Sequence, residues 1–269
     1  LENIISSTEE MNRTSEKVMG MVETASLNTQ YTKTSLNILS NVSKDLQSIS
    51  TKLLDKIETD EKAELVLTTY LSEAPLSCDP QLAIDTQSGQ ILYNVHGGLL
   101  LISSTGEITP GIAKSWYVED DNLTWIFNLR KGAKFHNGRE ITAEDVKYTY
   151  ERLLRPSLKS PNSWFLEQIE GAKEYNKGIA QEVKGIKILD RYRVSLKLTR
   201  PYTGFLLNLG QYVCSILAKE DVEKGKLTGC GPYILESTEK DRCVLTAFNN
   251  YFGGSPYVDK IIVRFEGPK

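Results

Sequence analysis

The sequence predicts a mixed α and β (α+β) fold that follows one long helix. Residues 1–58 carry a heptad repeat with no proline and one glycine, which is typical of a coiled coil. From Glu61 onward, apolar and polar residues alternate over short stretches, and this period of two indicates strands. Helical patterns lie between those stretches without the regular spacing of parallel α/β units, which favours the α+β class.

The N-terminal helix is predicted over residues 1–60. Stepping by seven from Ile4 meets apolar residues at all positions but one: Ile4, Met11, Val18, Ala25, Thr32, Leu39, Leu46 and Leu53. A single helix cannot bury such a stripe. We therefore expect a homo-oligomer that forms through this helix, or packing against sequence beyond these residues.

The later elements are predicted from local pattern. Strands are expected from Leu65, over residues 123–130 and over residues 194–199, where apolar side chains alternate. Thr142 is a good helix N-cap, and Asp145 three residues later completes a capping box. The apolar stripe that follows ends just before a proline and consists of Val146, Tyr150, Leu153 and Leu154.

Composition excludes several classes of protein. The net charge of −3 falls within residues 1–60, and the remainder is neutral, so no basic stripe for nucleic acid is present. No apolar run approaches the roughly 20 residues of a membrane helix, so any membrane contact would come from sequence outside these residues. Four cysteines lack the C-x-x-C spacing. They are either isolated thiols or two disulfides.

Catalytic motifs are not found in the sequence. Its two histidines, His96 and His136, have no carboxylate or cysteine at ligand spacing. The G-x-G of Thr228–Tyr233 precedes a predicted strand, which argues against a phosphate site at a helix N-terminus. We expect no enzymatic activity, no cofactor and no metal, and we expect His136 to be an exposed turn residue.

The stretch SSTEEM contains the glutamate pair Glu9 and Glu10 between small hydroxyl residues. It resembles the methylation helix of methyl-accepting chemotaxis proteins, and the heptads that follow are similar to the signalling helix of that family. The resemblance implies that Glu9 and Glu10 are candidate methylation sites. A generic oligomerising coiled coil explains the same pattern.

A second pattern lies in residues 113–146. Its fixed residue types are Ala113, Trp116, Asp121, Trp125, Phe127, Leu129, Arg130, Phe135, Gly138, Ala143, Asp145 and Val146. The pattern closely resembles the family 5 solute-binding proteins of ABC transporters, which bind oligopeptides, dipeptides or nickel. Similar stretches, such as SCDPQ and GCGPYIL, extend the resemblance over residues 61–269.

The resemblance implies a periplasmic-binding-protein-like type II fold. Residues 62–96 and 218–269 would form the base of the first lobe, and residues 97–217 an extra subdomain attached to it. We expect the second lobe to be absent from this sequence. Only one wall of the ligand cleft would then be present, and we expect the chain to bind peptide weakly or not at all.

Site residues follow from the resemblance alone. Ile84 and Thr86, just after the Asp-Pro, correspond to positions that line the peptide site, although Ile84 is equally well explained as a core residue. Asn162 stands after Ser-Pro, where the family often has an aromatic residue. Cys214 and Gly229 are expected near strand ends that face the cleft.

Three functions agree with these patterns. The first is a solute-binding module attached to a chemoreceptor signalling helix, on the cytoplasmic side of a membrane receptor. The second is the peptide-binding component of an ABC transporter, outside the cytoplasm. The third is a one-lobed dimerising interaction module without a ligand. The expected ligand is a small peptide or another small solute.

Overall fold

The elements of the fold are defined in a computed structural model that describes residues 64–265 together with Ile49. The predicted N-terminal helix, its coiled coil and the glutamates Glu9 and Glu10 lie outside the described residues. Residues 64–103 and 108–265 belong to one compact unit, and its secondary structure is mixed. That mixture agrees with the α+β class expected for residues 61–269.

The strands of residues 64–265 are β1 (Val66–Leu71), β2 (Leu100–Ile102), β3 (Ile108–Pro110), β4 (Ala113–Val118), β5 (Thr124–Leu129), β6 (Ile186–Asp190), β7 (Arg193–Lys197), β8 (Tyr233–Thr238), β9 (Arg242–Ala247) and β10 (Lys260–Phe265). The α-helices are α1 (Thr86–Val95), α2 (Ala143–Leu154), α3 (Ala172–Asn176), α4 (Phe205–Leu209) and α5 (Lys219–Val222). Short 3₁₀ turns cover Pro156–Leu158, Ser163–Leu166 and Tyr212–Cys214.

The base sheet joins the two ends of the described region in the order β1-β10-β9-β8. Strand β1 runs parallel to β10, with Val66 opposite Lys260, and the other pairs are antiparallel. Helix α1 contributes Ile91 and Val95 to the core that covers one face of this sheet. The sheet therefore draws on both segments that were predicted to form the base of the lobe.

The second four-stranded sheet has the order β4-β5-β7-β6, with antiparallel neighbours. In β5, Ile126 and Phe127 are consecutive and both are buried. Because successive side chains of a strand point to opposite faces, the centre of β5 is covered on both sides. The alternation of residues 123–130 predicted the strand, but not this burial of both faces.

Helix α2 forms as its sequence predicts. The backbone N–H of Thr142 donates to Asp145 Oδ2 at 2.9 Å, and the N–H of Asp145 donates to Thr142 O at 3.1 Å. The predicted stripe of Val146, Tyr150, Leu153 and Leu154 is fully buried. The helix ends at Leu154, directly before Arg155 and the proline-initiated 3₁₀ turn.

The hydroxyl of Tyr150 is buried and has no hydrogen-bond partner among the described residues. An unsatisfied buried polar group costs about 1–3 kcal/mol, so we expect Tyr150→Phe to raise the free energy of unfolding by about 1 kcal/mol. Urea unfolding followed by tryptophan fluorescence measures it. Tyr192→Phe is the matched control, since the Tyr192 hydroxyl donates to Glu140 Oε2 at 3.0 Å. That control should be destabilised by about 1 kcal/mol, and a loss of stability in both variants would contradict the prediction.

Candidate functional site

The segment Ser77–Ile84 is part of the connection between β1 and α1, and an ion pair fixes its position. Arg152, on α2, donates to both carboxylate oxygens of Asp79, at 2.6 Å and 3.2 Å. Only 10% and 12% of the two side chains are exposed. The same guanidinium donates to Gln81 Oε1, whose amide nitrogen donates to Thr149 O at 2.8 Å. Helix α2 thus fixes the start of the segment.

The end of this segment is held by Asn162. The Asn162 side-chain amide donates to Ala83 O at 2.8 Å and to Gln81 O at 3.3 Å. The Ser160 hydroxyl also donates to Gln81 O, at 2.5 Å. Asn162 itself is buried. The buried amide therefore fixes the backbone of the segment from its inner side. In this position it supports the segment and does not face a ligand.

The outer side of the segment is exposed. Ile84 is 68% exposed, and Thr86 and Tyr93 on α1 are also exposed. Residues 86 and 93 are seven apart and share one side of the helix. The Tyr212 ring packs there at 5.3 Å from the Tyr93 ring in a T-shaped contact, and Tyr212 Cε1 would lie 3.0 Å from a Cβ at Gly89. We call Ile84, Thr86, Tyr93 and Tyr212 the Ile84 face.

The five predicted site residues separate into two groups. Ile84 and Thr86 lie together on the Ile84 face, and the exposure of Ile84 excludes the alternative that it is a core residue. Asn162 lies directly behind that face. Cys214 and Gly229 are buried, so in this structure the Cys214 side chain has no surface to offer a ligand.

Gly229 has a structural reason to be glycine. A Cβ there would lie 2.1 Å from Val95 O and 2.9 Å from His96 Nδ1, at the end of α1. His136 N donates to Gly229 O at 2.9 Å, and the His136 ring bonds Gly231 O through Nε2 at 3.0 Å. The expectation of an exposed turn residue is therefore wrong for His136. It is half-buried because it joins the turn before α2 to the residues that lead into β8.

His96 makes folding sensitive to acid. Burial, together with a smaller effect of the charge of His136, lowers the pKa of His96 from 6.5 to about 3. The unfolded chain therefore takes up the proton first. The contribution of neutral His96 to stability is complete above pH 6.5 and is lost as the pH falls towards 3.

Between pH 7 and pH 5 we expect the folded protein to lose about 2 kcal/mol through His96. In His96→Asn this part of the loss is removed. Urea unfolding at the two pH values measures the slope for each protein. Equal slopes for the wild type and the variant would show that His96 titrates normally in the folded state.

Two further features were sought among the described residues. Among residues 64–265, no group of three or more His, Cys, Asp or Glu side chains is arranged to hold a metal ion. No helix of the same region is long and apolar enough to cross a membrane. The Ile84 face combines an exposed apolar side chain, hydroxyl groups and a backbone fixed from behind, which suits it to non-covalent recognition.

Comparison with known proteins identifies the scaffold. Residues 107–267 match the model for the middle region of the bacterial extracellular solute-binding proteins, family 5. The chain belongs to this family. That result confirms the resemblance seen in residues 113–146, and the family members that it matches are solute-binding proteins rather than enzymes.

Three relatives from bacteria illustrate the match. The periplasmic murein peptide-binding protein MppA of Escherichia coli is 31% identical over 209 residues, which are 74% of this chain and 38% of MppA. The dipeptide-binding protein of the same organism is 33% identical over 59% of this chain and 32% of its own length. The periplasmic oligopeptide-binding protein of Haemophilus influenzae is 31% identical over 66% of this chain and 35% of its own length.

Solved structures agree with the fold. The murein tripeptide binding protein of Escherichia coli aligns with a TM-score of 0.71 at 27% identity, over 75% of this chain and 42% of that protein. A periplasmic oligopeptide-binding protein from Borrelia burgdorferi aligns with a TM-score of 0.71 at 29% identity, over 75% of this chain and 43% of that protein. The chain thus spans about two fifths of the length of these structures.

Proposed function

We propose that this chain provides one wall of the peptide-binding site of an ABC-transporter-type solute-binding protein that works outside the cytoplasm. The observation that carries the proposal is the Ile84 face, where exposed side chains stand on a backbone fixed by Arg152 and Asn162. The peptide-binding relatives, two of them named periplasmic, support it. They favour the transport alternative over the ligand-sensing receptor and its cytoplasmic location.

The geometry suits an extended peptide. Peptides often bind as an added strand, with backbone hydrogen bonds for affinity and shallow pockets for side chains. The carbonyls of Gln81 and Ala83 already accept from Asn162, so a ligand uses other backbone groups of the segment. Because the segment is held before the ligand arrives, less ordering is needed on binding. Asn162 acts in this proposal as a positioning residue.

A photo-crosslinking experiment tests the proposal on the whole chain, because a covalent label accumulates even when one wall of the site binds the peptide weakly. A tripeptide that carries a benzophenone group should label the segment Ser77–Ile84 or α1, and unlabelled tripeptide should compete. In Ile84→Asp, a charge replaces apolar contact area, and we expect labelling to fall about tenfold. Mass spectrometry of the digested protein gives the labelled site and its yield.

The matched control is Ile179→Asp. Ile179 is 73% exposed, much like Ile84, but it lies in the loop after α3. Its replacement should leave labelling unchanged. Labelling that is spread over the surface, or that falls equally in both variants, would contradict the proposed site.

The chemoreceptor helix remains a separate prediction. The heptads of residues 1–60 and the Glu9-Glu10 pair favour a module attached to a signalling helix. The homo-oligomer through this helix is a prediction from the same heptads. Those residues lie outside the described region, and the named relatives lend this prediction no support. A peptide-binding wall would serve either protein, so the Ile84 experiment does not depend on the choice.

A further inference from the structure

Strand β4 forms one edge of the sheet with the order β4-β5-β7-β6. Glu119 N–H donates to Thr124 O at 2.8 Å, which continues the register of Val118 opposite Trp125. Because hydrogen-bonded and non-hydrogen-bonded pairs alternate along an antiparallel ladder, Trp116 and Val118 direct their N–H and C=O groups away from β5. In the described part of the chain no strand lies on that side. Two donors and two acceptors along this edge are therefore open to another strand.

The side chains of β4 leave this edge accessible. Tyr117 is 51% exposed, Val118 is 36% exposed, and Ser115 is exposed as well. Trp116 packs against the core cluster that contains Phe127, so Tyr117 points to the opposite, outer face of the sheet. Charges or bulges inside an edge strand usually prevent pairing with other chains. From Ser115 to Val118 the strand has no charge, and its register shift lies before Ser115.

The other edge of the same sheet is protected. Strand β6 contains Lys187 and ends at Asp190, whose carboxylate accepts from Arg193 at 2.6 Å. Its register with β7 shifts between Ile188 and Asp190. Because a charge within the strand and a bulge both discourage pairing with another chain, β4 is the open edge of this sheet.

The sequence of β4 and of the turn after it is complementary to itself in antiparallel pairing. A two-fold axis at Tyr117 places this residue opposite Tyr117 of a second copy. It also places Trp116 opposite Val118 of that copy, where the outward backbone groups of both chains form four hydrogen bonds. Lys114 then comes opposite Asp120, and both residues are exposed. The same segment in parallel pairing would put Lys114 against Lys114, which is unfavourable.

We propose that β4 is a dimer interface, at which a second copy of this chain adds its own β4 in antiparallel register to form one eight-stranded sheet. Strand addition gains affinity from main-chain hydrogen bonds and specificity from side chains. Here the specificity comes from the two Lys114–Asp120 pairs that the two-fold axis generates. The interface is isologous, so the assembly closes at two copies. The inference depends neither on peptide binding at the Ile84 face nor on the predicted N-terminal helix.

Disulfide crosslinking of the whole chain tests the register. All four cysteines are free thiols and only Cys78 is partly exposed, so Cys78→Ser provides the background. Opposite residues of a non-hydrogen-bonded pair have Cα atoms about 4.5 Å apart, which is within the range of a disulfide. With Tyr117→Cys in this background, we expect copper phenanthroline to give a covalent dimer on a denaturing, non-reducing gel.

The matched control is Ser115→Cys in the same background. Residue 115 lies on the same strand and face and is also exposed. In the proposed register the two copies of this residue are four positions apart, about 13 Å, so the control should remain monomeric on the gel. Equal crosslinking at positions 115 and 117 would indicate random collision and would overturn the proposal, as would the absence of a crosslink at position 117.

A charge exchange tests the ion pairs. Added to the protein with Tyr117→Cys, Lys114→Glu places like charges opposite each other at both ends of the interface. We expect the yield of covalent dimer to fall about fivefold, and Asp120→Lys in the same protein should restore it. A yield that neither substitution changes would exclude the proposed register.

The wild-type protein gives a reading that needs no substitution. The amide hydrogens of Trp116 and Val118 should exchange with solvent quickly in dilute protein and slowly in concentrated protein, whereas that of Glu119 should be protected at both concentrations. Fast exchange at Trp116 and Val118 at every concentration would contradict the dimer. Labelling of β4 by the benzophenone tripeptide, without the crosslink at position 117, would show that this edge takes a peptide instead.

Discussion

Arg152→Met should lower the free energy of unfolding by about 3–5 kcal/mol, the cost of leaving one partner of a buried ion pair alone. The substitution keeps most of the apolar stem but removes the charge that faces Asp79. It also removes the donor to Gln81 Oε1. The carboxylate of Asp79 would remain in a site where 12% of the side chain is exposed. Urea unfolding at pH 7 measures the loss.

Two further variants test whether the loss comes from the unpaired charge of Asp79. In Arg193→Met the lost pair with Asp190 is about half exposed, and such pairs contribute about 0–1 kcal/mol. In the double variant Asp79→Asn with Arg152→Met the unpaired charge is removed, so part of the stability should return. A loss below about 1 kcal/mol in Arg152→Met would mean that solvent reaches Asp79 freely.

Gly229→Ala should destabilise the fold by about 3 kcal/mol or more, at the upper end of what overpacking costs. The new methyl group would lie 2.1 Å from Val95 O and 2.9 Å from Val95 C. These are backbone atoms at the end of α1, so no side-chain rotation relieves the overlap. Either α1 or the strand that begins at Tyr233 must shift, and the bonds of His136 to Gly229 and Gly231 would be disturbed with it.

Gly97→Ala provides the comparison for this substitution. A Cβ at Gly97 would lie 3.4 Å from Cys230 Sγ and 3.7 Å from Cys230 O, which are ordinary contacts. We expect a change within about 1 kcal/mol. Thermal or urea unfolding of both variants decides the matter. If the two alanines cost the same, the close approach of Gly229 to α1 does not control stability.

The local sequence pattern was sufficient to predict the elements near α2. The cap at Thr142, the acidic partner Asp145 and the apolar stripe are all within 13 residues, and each acts on its neighbours in sequence. The strands β5 and β7 were predictable for the same reason. Burial of Ile126 was not, because alternation in one strand does not reveal what packs on the second face of its sheet.

The site was predictable only in part, because its support comes from distant residues. Ile84 and Thr86 were reached by resemblance to a family. The roles of Asn162 and Arg152 depend on bonds to the segment Ser77–Ile84, which is more than 60 residues away in the chain. Sequence periodicity does not reveal hydrogen bonds between residues so far apart in the chain. The same holds for Tyr212, whose position against α1 shows only in the folded protein.

The parallel pairing of β1 with β10 determines when the base sheet can be completed during protein synthesis. Strand β1 leaves the ribosome before β10, which is translated nearly two hundred residues later. The sheet of β4 to β7 closes within its own stretch of chain, so it can form while translation continues. Until β10 appears, the apolar side of β1 and α1 has no complete sheet to cover it. The nascent chain must therefore keep that surface from other chains, and it is there that a chaperone has most to protect.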